Sequence, residues 1–136
     1  MIQEFQKYND PFFAFWKAFG YYKEASIAEA ISELSGIQMR REIQYATLIA
    51  LEHFHQESRA IDRESLKQLK DEIYESRRLA NTKSKLLAAS FYTFTGQFGK
   101  ADDEISEIRE ETADKLVAKG WLDYYIGTES SLVSFV

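Results

Sequence analysis

A single proline and six glycines in 136 residues leave this chain few places at which to turn. These two residues most often end helices and form turns, so their scarcity favours long helices over the frequent turns of an all-β fold. The hydrophobic fraction of 45% is enough for a core, and one core can serve a chain of this length. The sequence therefore predicts an all-α fold: a single-domain bundle of five to six helices over residues 1–127, followed by a C-terminal tail, 128–136.

An aromatic run follows Asp10 and Pro11 and predicts the first helix. Asp10 is a good N-cap, and Pro11 suits the first helical position because its missing N–H costs nothing there. At 100° per residue the aromatic side chains share about half of the helix circumference, and they are Phe12, Phe13, Phe15, Trp16 and Phe19. The other side then carries Ala14, Lys17 and Ala18. We expect an amphipathic helix that buries its rings and ends at Gly20.

Further helices are predicted over residues 22–34, 39–60, 63–95, 102–120 and 121–126. The uncharged stretch 45–51 indicates a helix that is buried nearly all round. Asp62 is expected to cap the segment that follows it. The segment 63–95 has a seven-residue apolar spacing that one long helix would preserve, but its polar stretch 81–84 favours a break there.

Two Gly-containing segments repeat one pattern with a spacing of 76 residues. The first copy is Phe15, Trp16, Gly20, Tyr22 and Ala25, and the second is Phe91, Tyr92, Gly96, Phe98 and Ala101. The pattern describes a helix that ends at Gly, a tight turn, and a second helix whose Ala allows a close approach. We therefore expect a fold built around Gly-turned helical hairpins.

The second copy resembles the helix-turn-helix of a tetratricopeptide repeat. In that resemblance the signature positions would be held by Tyr92, Gly96, Phe98, Ala101 and Ile105. Lys85 departs from it, because it stands where the early aromatic residue belongs. There is also no third copy and no copy at the 34-residue period of such arrays. A repeat fold and the independent use of a Gly-capped hairpin both account for the pattern, and the missing copies favour the hairpin.

The residue types present argue against most catalytic chemistry. Cysteine is absent, which removes disulfides, thiolate zinc sites and cysteine nucleophiles. The chain has no G-x-S-x-G elbow, and its glycines are too scattered to form a phosphate-binding loop. We therefore favour a non-enzymatic role without a cofactor.

The only histidines, His53 and His55, define an alternative function as a metal-binding helical-bundle protein. Glu52 and His55 form one E-x-x-H match, whereas di-iron bundles use two such motifs. His53 and Glu57 lie one turn apart on the apolar side and are better placed to bind a metal or to pair with each other. Pairing at the edge of the core is the simpler interpretation.

A second alternative is nucleic-acid binding through four basic residues at helical spacing, Arg59, Arg63, Lys67 and Lys70. Five acidic residues are interleaved with this basic region, so ordinary pairing within the helix is the favoured use. Nucleic acid is therefore an unlikely partner.

The net charge of −5 arises in the last quarter of the chain, where residues 100–136 hold nine acidic and four basic side chains. This one-sided charge favours a protein partner with a basic surface. The leading hypothesis is thus a protein-binding module, an adaptor, inhibitor or immunity-type protein, and a homo-oligomer stays open. The candidate contact residues are Asp103, Glu107, Glu110, Glu111, Asp114, Phe135 and Val136.

The N-terminus lacks a secretory pattern and no apolar run is long enough to span a bilayer, so the expected location is the cytoplasm.

Overall fold

The computed structural model describes residues 10–58 and 62–134, the last six of them by their backbone alone. These residues form helices and no strand, which confirms the predicted all-α class, and their seven helices exceed the predicted five to six. The helices are α1 (Pro11–Lys23), α2 (Ile27–Ile37), α3 (Gln44–Glu57), α4 (Arg63–Leu79), α5 (Thr82–Phe94), α6 (Phe98–Glu107) and α7 (Ala113–Ser134).

Backbone contacts divide the chain into two compact units, Met1–Ala80 and Asn81–Val136. Within the first unit each helix packs against the next one along the chain, α1 on α2, α2 on α3 and α3 on α4. Within the second unit α5, α6 and α7 all pack against one another. The single domain over residues 1–127 stays a prediction. The backbone does not leave its helix at residue 127, however, because α7 continues to Ser134.

Helix α1 starts as predicted but buries a different face. Asp10 accepts a hydrogen bond from the backbone N–H of Phe12 at 2.9 Å, and Pro11 holds the first helical position. The buried residues that follow Pro11 are Ala14, Phe15 and Ala18, whereas the sequence analysis placed both alanines on the outer side. In α2, Ala30 is also fully buried. Of the rings expected on the buried face, Phe15 is buried as predicted, whereas Phe13 is 41% exposed.

The turn after α1 is not made by Gly20, which lies inside the helix. Ala25 adopts a positive φ of 64°. Its N–H donates to the carbonyl of Tyr22 at 3.0 Å, and the N–H of Ser26 donates to the carbonyl of Tyr21 at 2.8 Å. This pair of bonds is a Schellman motif, the usual way to end a helix with a left-handed residue.

The turn after α5 repeats the same geometry at Gly96, whose φ is 79°. The N–H of Gly96 donates to Thr93 at 3.2 Å, and the N–H of Gln97 donates to Tyr92 at 2.8 Å. Residues 25 and 96 are therefore equivalent, at a spacing of 71, and the predicted alignment at 76 is wrong. The 71-residue spacing also pairs buried residues: Ala18 with Ala89, Ala30 with Ala101, Leu34 with Ile105 and Ile37 with Ile108.

Helix α3 is buried on all sides through residues 45–51, as predicted from its uncharged sequence. It begins at Gln44 rather than at Met39, because the chain first makes a turn in which the N–H of Ile43 donates to the carbonyl of Arg40. Met39 is consequently outside the helix and 81% exposed.

The predicted break in the segment 63–95 is confirmed. Helix α4 ends at Leu79, and Asn81 caps α5 by accepting a hydrogen bond from the N–H of Ser84 at 2.8 Å. Asp62 caps α4 as predicted, through the N–H groups of Glu64 and Ser65. The Ser65 hydroxyl and both of these N–H groups hold the pKa of Asp62 below its ordinary value.

In the second unit, the predicted helices over 102–120 and 121–126 are wrong, because the chain instead forms α6 and α7 with residues 108–112 between them. Helix α6 begins at Phe98, so Asp102 and Asp103 lie in its interior. Helix α7 runs through Gly120, which was expected to end it. A glycine inside a helix costs about 1 kcal/mol relative to alanine. The burial of Ala118 and Leu122 on either side of Gly120, in one cluster with residues of α5 and α6, outweighs that cost.

The two kinds of glycine can be told apart by substitution with alanine. Gly20 is exposed within α1, and a Cβ there would meet nothing within 4 Å. We expect Gly20→Ala to raise the free energy of unfolding by about 1 kcal/mol, because alanine is the better helix former. We expect Gly96→Ala to lower it by at least about 1 kcal/mol, because alanine is strained at positive φ. Urea denaturation followed by circular dichroism measures both changes.

Ala25→Gly is the control, because residue 25 also has a positive φ but carries a Cβ. It should raise the free energy of unfolding, since glycine relieves the left-handed strain. Changes of the same sign in Gly20→Ala and Gly96→Ala would contradict this assignment of the turns.

Candidate protein-binding surfaces

Two of the four predicted metal-ligand candidates meet on α3. The Nε2 atom of His53 lies 3.4 Å from Oε1 of Glu57, one turn further along the helix. The Tyr22 hydroxyl of α1 joins them, donating to Glu57 Oε1 at 3.1 Å and lying 3.2 Å from His53 Nε2. The phenol has one proton to donate, so His53 donates to the Tyr22 oxygen in the tautomer that carries its proton on Nε2.

The other two candidates are not part of this cluster. Glu52 accepts a hydrogen bond from Gln56 at 3.0 Å within its own helix, and the backbone carbonyl of His55 accepts one from Ser58. Within residues 10–58 and 62–134, no group of three or more His, Asp or Glu side chains is arranged to hold a metal ion. The metal-binding alternative therefore lacks a third ligand in this part of the chain.

Tyr22 links α1 to α3 through packing as well as hydrogen bonds. Its ring stacks on Phe54 with centroids 4.8 Å apart and meets the His53 ring edge-on at 5.5 Å. Burial, the hydrogen bond to Glu57 and the charge of Glu57 raise the pKa of Tyr22 to about 12. The phenol thus remains a hydrogen-bond donor at neutral pH, and the arrangement suits a structural contact between helices.

The predicted acidic contact residues are all exposed. Asp103 and Glu107 lie one turn apart on α6, and the connection to α7 and its first turn add Glu110, Glu111 and Asp114. Lys115 Nζ binds Glu111 Oε1 at 2.7 Å, and this hydrogen bond and the lysine charge lower the pKa of Glu111. The predicted contact residues Phe135 and Val136 lie outside the described residues.

The basic residues predicted to bind nucleic acid lie on one side of α4. Arg63, Lys67 and Lys70 are exposed at spacings of four and three, as a shared face requires, and Arg59 lies outside the described residues. Acidic residues of the same helix, among them Glu64 and Asp71, are also exposed. At 100° per residue these acidic residues fall on the neighbouring side of the helix, so nucleic-acid binding through the basic side stays an untested prediction.

Sequence analysis missed an exposed apolar stripe on α7. It consists of Val117, Trp121 and Tyr124, which are 58%, 48% and 64% exposed. With Asp114 they follow spacings of three, four and three, so they share one side of the helix. Ala118 and Leu122, which face the core, occupy the neighbouring side. The spacing can be seen in the sequence, but the predicted helix end at Gly120 separated Val117 from Trp121 and Tyr124.

The aromatic members of this stripe are held in place by other rings. Trp121 meets Phe94 of α5 edge-on at a centroid distance of 5.9 Å and meets Tyr124 at 6.1 Å. Tyr125 lies 5.4 Å from Phe94 and completes the cluster. Tryptophan and tyrosine are enriched at the centres of protein interfaces, and rings fixed before binding lose less entropy.

The hydrogen bonds of the Tyr22 hydroxyl should contribute measurably to the free energy of unfolding. Tyr22→Phe removes the hydroxyl and keeps the ring, so we expect the free energy of unfolding to fall by about 1 kcal/mol. The folded-state pKa is raised above the ordinary value near 10, so the protonated phenol stabilises the fold fully below pH 10. This contribution is lost between pH 10 and 12, and the difference between wild type and Tyr22→Phe should shrink there. Urea denaturation at pH 8 and pH 11 measures it, with Tyr74→Phe, an exposed tyrosine, as the control.

None of the helices in the described part of the chain is both long and apolar enough to cross a membrane.

The Tetratricopeptide repeat protein 21 N-terminal ARM repeat family matches residues 2–134. Curated relatives include Tetratricopeptide repeat protein 21A of Mus musculus, 33% identical over 118 residues that cover 85% of this chain and 9% of the relative. Tetratricopeptide repeat protein 21B of Xenopus laevis is 30% identical over 127 residues, 91% of this chain and 10% of the relative.

The chain therefore spans about a tenth of the length of the curated relatives it matches. The family that matches is one of ARM repeats, and the two Schellman-turned hairpins, α1–α2 and α5–α6, fit a repeat. The sequence analysis was thus wrong to favour independently formed hairpins over a repeat. From the match over residues 2–134 and the identities of 30% and more, the chain belongs to the Tetratricopeptide repeat protein 21 N-terminal ARM repeat family.

Proposed function

We propose that this chain is a protein-binding module and that the apolar stripe of α7 docks an amphipathic helix of a partner protein. The observation that carries the proposal is the exposure of Val117, Trp121 and Tyr124 along one side of a helix whose other side is already in a core. Their spacing of three and four residues is the one with which helices pack against each other. Helical-repeat proteins commonly bind partners on such exposed helix faces.

The apolar area of the stripe is large enough to matter for affinity. Full burial of a large apolar side chain is worth about 1.5–3 kcal/mol, and these three are roughly half exposed. Covering them would contribute on the order of 3 kcal/mol, or about a hundredfold in the dissociation constant. Part of this gain offsets the cost of ordering the partner.

The acidic residues around the stripe favour a partner helix whose apolar face is edged by lysine or arginine. Asp114 continues the stripe by one turn, and Glu110 lies in the connection that precedes it. Carboxylates at the border of an interface speed association with a basic partner and disfavour acidic ones. Glu111 contributes less, because Lys115 already pairs with it.

A paired substitution tests the proposal. Val117→Gln with Tyr124→Gln removes apolar surface but keeps helix-forming residues and leaves Trp121 in place. Leu116→Gln is the matched control, because Leu116 is 61% exposed on α7 but lies off the stripe. In quantitative affinity purification, we expect a partner that wild type and Leu116→Gln both recover and the double variant loses at least tenfold. Circular dichroism should show all three proteins equally folded.

Recovery of the same proteins in equal amounts by the double variant would refute the proposed stripe. Light scattering addresses the homo-oligomer. A dimer of the wild type that becomes a monomer in the double variant would assign the stripe to a second copy of this chain instead of a different protein.

A further inference from the structure

The first unit contains a groove that the proposed function does not use. It lies between α3, the second half of α4 and the connection before α3, and its volume is about 470 Å³. Its apolar lining is formed by Leu48, Met39 and Leu79. Leu48 is buried, whereas Met39 and Leu79 are 81% and 89% exposed, the two most exposed large apolar residues of the described chain. Such a groove can accept one or two large apolar side chains.

The polar lining of this groove carries charge of one sign. Asp71, Glu72 and Glu75 all contribute to it, and none of the described residues that line it is lysine or arginine. At 100° per residue these acids and Leu79 fall within a sector of about 100° of α4. The basic residues of α4, such as Lys70 and Arg78, lie outside that sector. The helix thus separates its two charges, although they are interleaved in the sequence.

We propose that this groove binds a basic amphipathic peptide segment of a partner protein. A leucine, methionine or aromatic side chain of the segment packs on Leu48, Met39 and Leu79, and its flanking lysines or arginines face Asp71 and Glu75. The flexible thioether of Met39 lets the groove adapt to different apolar side chains. The proposal rests on the proposed protein-binding function and adds a second surface with a defined ligand chemistry.

Charge and geometry select this ligand over others. Three neighbouring carboxylates repel one another, and a cationic ligand relieves that repulsion, whereas an acidic segment or a phosphate adds to it. A bare divalent cation is a poor fit, because no group of described carboxylates is arranged to hold a metal. An uncharged apolar ligand would cover the leucines and leave the repulsion in place.

The test uses labelled synthetic peptides. The probe is a 16-residue helix-forming peptide with two leucines one turn apart, flanked by four lysines. One comparison peptide carries serine for both leucines, and another carries glutamate for the lysines. Fluorescence anisotropy with the full chain should show binding of the probe, at least tenfold weaker binding of the serine peptide, and no binding of the glutamate peptide.

Variants of the chain locate the site. We expect Leu79→Gln and Glu75→Gln each to weaken the probe roughly three- to tenfold. The matched controls are Glu29→Gln, which removes the same charge from α2, and Leu116→Gln, which removes another exposed leucine, from α7. Backbone amide shifts in NMR spectra should change around residues 39, 48 and 68–79.

Several results would overturn the inference. They are equal binding of the probe and the serine peptide, binding unaffected by Leu79→Gln, or amide shifts centred on residues 102–114. Failure of the probe to bind, while the α7 double variant still loses its partner, would remove the groove and leave the proposed function standing. Binding of the probe, together with unchanged partner recovery by the α7 double variant, would refute the proposed α7 stripe and leave the groove standing.

Discussion

Both hairpins depend on one backbone conformation, a left-handed residue that follows the first helix. Ala25 and Gly96 hold it, and the N–H groups of each turn then bond back to the last carbonyls of the preceding helix. This lets the chain reverse within a few residues and start the next helix at once. At residue 25 the Cβ adds about 1–2 kcal/mol of strain, which the packing of α1 on α2 must offset. The turn therefore fixes which faces of the paired helices meet.

Each hairpin buries an alanine on both of its helices. Ala18 and Ala30 in the first hairpin, and Ala89 and Ala101 in the second, are fully buried. Two rings of the same helices, Phe15 of α1 and Phe91 of α5, are also fully buried, so the alanines do not exclude every ring from the interior. Tyr22 bridges to α3, and Phe13, Trp121 and Tyr124 are exposed.

The features that sequence reasoning predicted correctly are those set by a few neighbouring residues. The caps Asp10 and Asp62 act over two or three positions, so they could be predicted from the sequence alone. Glycine is different, because it permits positive φ without requiring it. Gly20 and Gly120 lie inside helices, where the packing of neighbouring residues offsets their low helix propensity. Because we expected both glycines to end helices, the predicted helix ends were wrong, and so was the internal alignment built on Gly20.

The same difference between contacts of neighbouring residues and contacts of distant residues applies to the candidate sites. The proximity of His53 and Glu57 is a property of one helix and was predictable from their spacing of four. The third member of their cluster, Tyr22, is 31 residues from His53 in sequence, and no local pattern reports such a contact. The groove of the first unit was equally hidden, because it needs the end of α4 beside the start of α3. Of the two surfaces that sequence reasoning missed, the α7 stripe is the one that could have been found from spacing.

Carboxylates border both exposed apolar surfaces, and this bears on which complexes can form. Asp114 continues the α7 stripe, and Asp71 and Glu75 line the groove. If two copies of the chain met through the same surface, these carboxylates would be brought together at low dielectric, where like charges repel strongly. A lysine or arginine of a different protein would instead pair with them. In the complexes that we propose, the carboxylates that pair with a basic partner would also disfavour self-association through the same surface, so specificity would come from repulsion as well as attraction.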